Sequence, residues 1–79
     1  MNPRVKLVAP LENYRLEIQF DNGERREFDT TPYLEKGIFQ ELKSKRYFNQ
    51  VKASLGTVEW PHGQDFCPDM LFENSKALA

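Results

Sequence analysis

Polar and apolar side chains alternate without a break from Tyr14 to Phe20 (Tyr-Arg-Leu-Glu-Ile-Gln-Phe). A period of two predicts a strand with one face buried. Asp21-Asn22-Gly23 follows, a strong hairpin signal, and Glu24 to Phe28 is predicted to return beside the first strand. The register can be argued from burial. A two-residue Asn22-Gly23 loop sets Ile18 opposite Glu27 and turns Phe28 away from the core face. A three-residue Asp21-Asn22-Gly23 loop pairs Leu16 with Phe28 and brings Phe28 to the face of Ile18 and Phe20. A one-residue slip flips every side chain, so burial of Phe28 favours the longer loop, with Gly23 in the left-handed position of a bulge. Upstream, Val5 to Val8 predicts a short strand ended by Pro10, suited to a sheet edge.

Asp29-Thr30-Thr31-Pro32 is a helix-entry signal, read as a capping Thr31 with Pro32 at the first helical position. Tyr33, Leu34, Ile38, Phe39 and Leu42 then fall at helical spacing. Gly37 interrupts them, so two short turns or a kinked helix are expected. Tyr47 and Phe48 are expected to pack beneath, with Lys36, Lys43, Lys45 and Arg46 on the polar side. Alternation returns in Val51–Ser54 and Thr57–Trp60 around a Leu55-Gly56 turn. Pairing Ala53 with Val58 and Val51 with Trp60 keeps all four on one face, and this second hairpin is expected to continue the first sheet. Pro68 opens a short helix containing Met70, Leu71 and Phe72. The tail, roughly residues 73–79, is polar and small and is expected to fray. The expected fold class is α+β: two antiparallel β-hairpins forming a small sheet, with short helices packed on one face, in a single domain over residues 1–79.

Composition narrows the possible functions. A chain of 79 residues buries roughly 60–65% of the surface its unfolded form exposes, so its stability is modest. One cysteine, Cys67, allows no intrachain disulfide. With a single histidine beside it, it cannot complete a four-ligand Cys/His zinc site. The formal net charge of −1 lacks the basic balance of nucleic-acid-binding domains. No apolar run reaches the length of a membrane span, and Met1-Asn2-Pro3-Arg4 is not the start of a secretory signal. A free thiol without a signal points to the cytoplasm. No cofactor is implied.

The densest chemistry is the segment from Trp60 to Asp69. His62, Asp65, Cys67 and Asp69 fall within eight residues, and imidazole with carboxylate can hold a cation or move protons. The plainer reading is turn chemistry. Pro61 fixes φ, Gly63 allows a left-handed turn, Asp65 bonds nearby amides, and Asp69 suits the start of a helix. No catalytic residue and no metal ligand is assigned. Cys67 with His62 as base would need a third, orienting group; a largely buried thiol is the expectation. Trp60 is expected in the core or at its edge; if Trp60 and Phe66 are both partly exposed, they form a protein-contact patch. Lys43, Lys45 and Arg46, with Ser44 and Tyr47, could touch phosphates, or form the solvated end of a helix. Arg25 and Arg26 add two cations that Glu24 and Glu27 largely cancel.

From Trp60 to Phe72 the chain reads Trp-Pro-His-Gly-Gln-Asp-Phe-Cys-Pro-Asp-Met-Leu-Phe. This resembles the C-terminal signature of a bacterial family called domain of unknown function 2442, with His62 in place of the usual Asn and Phe72 in place of the usual Tyr. The resemblance extends upstream through the first hairpin, Phe39, Leu42 and Phe48. It implies a small bacterial protein often encoded beside another small protein, as in toxin–antitoxin-like pairs. Longer relatives carry a helix-turn-helix domain, for which residues 1–79 leave no room. The expected function is a non-enzymatic interaction module, an adaptor or antitoxin-like partner of a small protein encoded nearby, with homodimerisation also open. The contact surfaces expected are a sheet edge or the Trp60–Phe72 region, with Trp60, His62, Asp65, Phe66 and Asp69 as candidates. The alternatives are a small-molecule or metal-binding protein using the His62–Asp69 loop, and nucleic-acid binding through Lys43–Arg46.

Overall fold

The alternating segment becomes β2 (Arg15–Phe20) in a computed structural model that describes residues 2–78. Met1 and Ala79, the ends of the expected domain and tail, lie outside the described residues. Leu16, Ile18 and Phe20 are fully buried. Strand β3 (Arg25–Asp29) returns with Leu16 opposite Phe28, which is itself buried. The three-residue loop is therefore the one formed, with Gly23 at φ +90°. Ion pairs Arg15–Glu27 and Arg25–Glu17 lie across the same two strands.

Strand β1 (Val5–Leu11) lies at the edge, antiparallel to β2, and runs through Pro10 instead of stopping before it. The ladder explains the tolerance. Phe20 donates to the Glu24 carbonyl at 2.8 Å, so alternate residues of β2, including Leu16, turn their backbone toward β3. Pro10 stands opposite Leu16. It therefore faces away from β2, where a missing N–H breaks no ladder bond.

Tyr14, expected to open β2, lies in a 3₁₀ turn (Glu12–Tyr14) instead, with Asn13 and Tyr14 at φ 62° and 61°. Such a conformation costs a residue like Tyr14 about 1–2 kcal/mol, whereas asparagine adopts it more readily. Tyr14 is held there by fully buried Thr30. The Thr30 backbone N–H and hydroxyl both donate to the Tyr14 carbonyl, at 3.0 and 2.7 Å. The Tyr14 hydroxyl in turn donates to the Lys43 carbonyl at 2.6 Å. Thr31 is not the cap. Thr30 holds the cap position without a side-chain cap bond, and Asp29, one residue before it, accepts from the Thr31 N–H at 2.9 Å and its hydroxyl at 2.8 Å.

Two 3₁₀ segments follow, Thr31–Tyr33 and Gly37–Lys43, then a single turn of helix, α1 (Lys45–Phe48), so the broken helix predicted at Gly37 is what forms. Tyr47 and Phe48 are buried. The second hairpin, β4 (Lys52–Ser54) and β5 (Thr57–Glu59), has Ala53 opposite Val58 and turns through Leu55 and Gly56. It does not continue the first sheet but forms its own two-stranded sheet. It packs beside β1 and is tied to it by the Val5 N–H donating to the Gly56 carbonyl at 2.9 Å. Val58 and Trp60 are buried while Ala53 is exposed, so the four residues do not share one environment.

Helix α2 (Pro68–Asn74) buries Leu71. Beyond it, where composition predicts fraying, β6 (Lys76–Ala77) pairs with β3 and completes the sheet order β1-β2-β3-β6. Arg26 fastens this corner. Its guanidinium donates to the carbonyls of Phe72 and Ser75, each at 3.3 Å, and lies 4.0 Å over the Phe72 ring. Asn2 donates to Glu73 at 3.0 Å. Among the described residues no helix is long and apolar enough to cross a membrane.

Candidate functional site

The turn after β5 is built by its own backbone. Gly63, at φ +97°, donates to the Trp60 carbonyl at 3.0 Å, and Trp60 donates to the Gln64 carbonyl at 2.9 Å. Trp60 is 1% exposed and Phe66 4% exposed, so the condition for an aromatic contact patch fails. The Trp60 indole donates to the Phe48 carbonyl at 2.9 Å. Phe66 stacks on Phe39 and meets Phe28, Tyr33 and Trp60 edge-on. Both rings are core supports of the turn.

The residue that organises this turn is Gln64, which sequence reasoning passed over. It is 2% exposed. Its Oε1 accepts from the Tyr47 hydroxyl at 2.6 Å, and its Nε2 donates to the Ile38 carbonyl at 3.0 Å and to Glu41 Oε1 at 2.9 Å. The Tyr47 oxygen also accepts from the His62 backbone N–H at 2.8 Å. His62 Nδ1 pairs with Glu41 Oε2 at 2.7 Å, and its ring lies 5.0 Å from that of Tyr47. The amide is thus satisfied by one donor from α1 and two acceptors from the 3₁₀ segment Gly37–Lys43, as burial of a polar group demands. Nothing in the local spacing signals this, because the partners lie 17 to 26 residues upstream.

The four residues that the sequence places within eight positions are not gathered. His62 turns to Glu41, not to Asp65 or Asp69. Asp65 is exposed, with its backbone bridged to Glu59. Asp69 is exposed in the first turn of α2. Cys67 is exposed, contrary to the expected buried thiol, because the chain turns inward at Phe66 and the next side chain points out. Among the described residues no group of three or more His, Cys, Asp or Glu side chains is placed to hold a metal ion.

Of the candidate phosphate contacts, Lys43 is paired with Glu35 at 2.7 Å, while Lys45 and Arg46 are exposed on α1. Arg26 is committed to the chain's own carbonyls and to Glu24. The Asn22 side-chain amide, followed by Arg26, holds the Glu24 carboxyl below its usual value.

Residues 5–77 match the model of a family described as Protein of unknown function (DUF2442). The chain belongs to this family. No curated protein and no solved structure matches it. In this DUF2442 member, the segment of the resemblance contains both core anchors, Trp60 and Phe66, and an exposed run, Pro61-His62-Gly63, that the anchors and Gln64 hold in place.

Proposed function

We propose that the protein is a non-enzymatic interaction module, an adaptor or antitoxin-like partner, that binds another small protein through the surface carried by the 60–64 turn. The observation behind this reading is Gln64. A buried amide with three side-chain hydrogen bonds fastens an exposed turn to the 3₁₀ segment that bears Ile38, and Ile38 is 65% exposed. The contact surface is Ile38 with Pro61, His62 and Gly63. A surface rigid before binding loses less conformational freedom on association, and a large exposed aliphatic residue beside it supplies apolar area. Trp60 and Phe66 serve the surface from beneath. The expected partner is a small cytoplasmic protein encoded nearby in a bacterial genome.

The sheet edge is the weaker of the two surfaces first considered. The second hairpin packs beside β1, and β6 offers two residues, both ways of shielding an edge.

The test is co-purification of the tagged chain at moderate salt, comparing wild type with the Ile38→Asp, His62→Ala double variant. Both substitutions are at exposed side chains, so the variant is expected to fold with a stability change within about 1 kcal/mol. It is expected to lose a stoichiometric protein partner that the wild type retains. Retention of that partner by the folded double variant would sink this surface. Gln64→Leu serves as the complement. It strands the Ile38 carbonyl and is expected to cost about 1–3 kcal/mol, read from the urea midpoint.

A further inference from the structure

Between the end of β1 and α1 lies a cleft of about 490 Å³, within the range of roughly 300–1,000 Å³ common for small-molecule sites. Leu11 and Phe48 give it an apolar floor. One wall is Glu12 and Asn13, from the 3₁₀ turn, and the other is Lys45 and Asn49, from α1 and the residue after it. Each wall therefore carries one charge and one amide, and the charges are opposite. Neither Glu12 nor Lys45 belongs to an ion pair among the described residues.

The first wall is also where the backbone is most unusual, with two successive non-glycine residues at positive φ. The conformation of Tyr14 is accounted for by its bonds to Thr30. Asn13 is a residue type that adopts this conformation readily, and it lines the cleft.

The pairing of charges selects the ligand. A simple anion attracted by Lys45 meets Glu12, and a simple cation attracted by Glu12 meets Lys45. Only a molecule bearing both charges is favoured by both walls. We infer that this cleft binds a free α-amino acid with an apolar side chain. The carboxylate turns to Lys45 and Asn49, the ammonium to Glu12 and Asn13, and the side chain rests on Leu11 and Phe48. This inference does not rest on the interaction surface at the 60–64 turn.

Trp60 offers the readout. Its indole is bonded to the Phe48 carbonyl, and the two rings lie 5.9 Å apart, so the one tryptophan sits directly behind the floor. The full chain would be titrated with L-leucine, with N-acetyl-L-leucine, which lacks the ammonium, and with L-leucinamide, which lacks the carboxylate. Tryptophan fluorescence, the amide NMR shifts of Asn13 and Asn49, and the melting temperature would be followed. Leucine is expected to bind saturably and raise the melting temperature. Each blocked derivative is expected to bind about two- to fivefold more weakly, as exposed ion pairs allow. Lys45→Gln should erase the preference for leucine over leucinamide alone, and Glu12→Gln the preference over the N-acetyl form alone. Both side chains are exposed, so both variants should fold. The absence of any saturable response to leucine, or equal binding of all three compounds, would overturn the inference.

Discussion

Leu55 occupies the position in the second hairpin's turn that asparagine or aspartate ordinarily fills. It has φ 52° and is 97% exposed, so it bears a left-handed backbone without the compensation of burial. Leu55→Asn is therefore expected to stabilise the fold by about 0.5–1.5 kcal/mol, raising the melting temperature by several degrees in a domain of this size. Glu24 makes the opposite kind of contribution. Its carboxyl is held below the ordinary value of 4.5 by the Asn22 amide first and by Arg26 next. A depressed folded value adds stability that is fully present above the unfolded value. That stability is lost as pH falls through the lower, folded one. Glu24→Gln should flatten part of the acid limb of a urea-midpoint profile taken from neutral pH down through the carboxylate range. A profile identical to wild type would show that the Asn22 and Arg26 bonds do not persist in solution.

Elements were legible in proportion to how local their causes are. The alternation in β2 and the burial of Phe28 were enough to set both the strand and its register, because one wrong residue would have exposed three large side chains. Gly37 and Pro68 likewise marked real breaks and starts. The second hairpin was readable as a hairpin, but strand pattern carries no information about which edge lies beside it. Strand β6 had no pattern at all. Two small or polar residues pair there beside Arg26, which, some fifty positions earlier, holds the carbonyls of Phe72 and Ser75. Arg26→Met keeps the apolar stem and removes the donors. It is expected to destabilise by about 1–3 kcal/mol and to speed amide exchange at Leu78, whose N–H bonds to Arg25, ahead of the β1–β2 amides. Unchanged exchange at Leu78 would mean that β6 is held by other contacts. The candidate site was legible only at Trp60, expected in the core or at its edge, whereas Phe66, expected as a contact residue, is buried. Gln64 has a role only once Tyr47, Ile38 and Glu41 surround it, and no spacing rule brings those residues together.

At the scale of the molecule, one strip of core joins the two concave or exposed surfaces to which functions are proposed. Trp60 reaches Phe48 on one side and Phe66 on the other. Phe48 forms the floor of the cleft, and Tyr47 next to it bonds the 60–64 turn.

The corner where Asn2 meets Glu73 has a topological consequence. Val5 stands opposite Phe20, and Leu78 bonds to Arg25, so residues 2 and 78 both lie at the end of the sheet that carries the Asp21–Gly23 turn. Order along the chain is then separable from arrangement in space. A circularly permuted protein, joined from 78 to 2 by a short glycine-rich linker and reopened between Leu55 and Gly56, would keep every strand pair beside the same neighbour while freeing Leu55 from its left-handed backbone. Such a chain is expected to unfold in a single cooperative transition, which a denaturant titration would read directly.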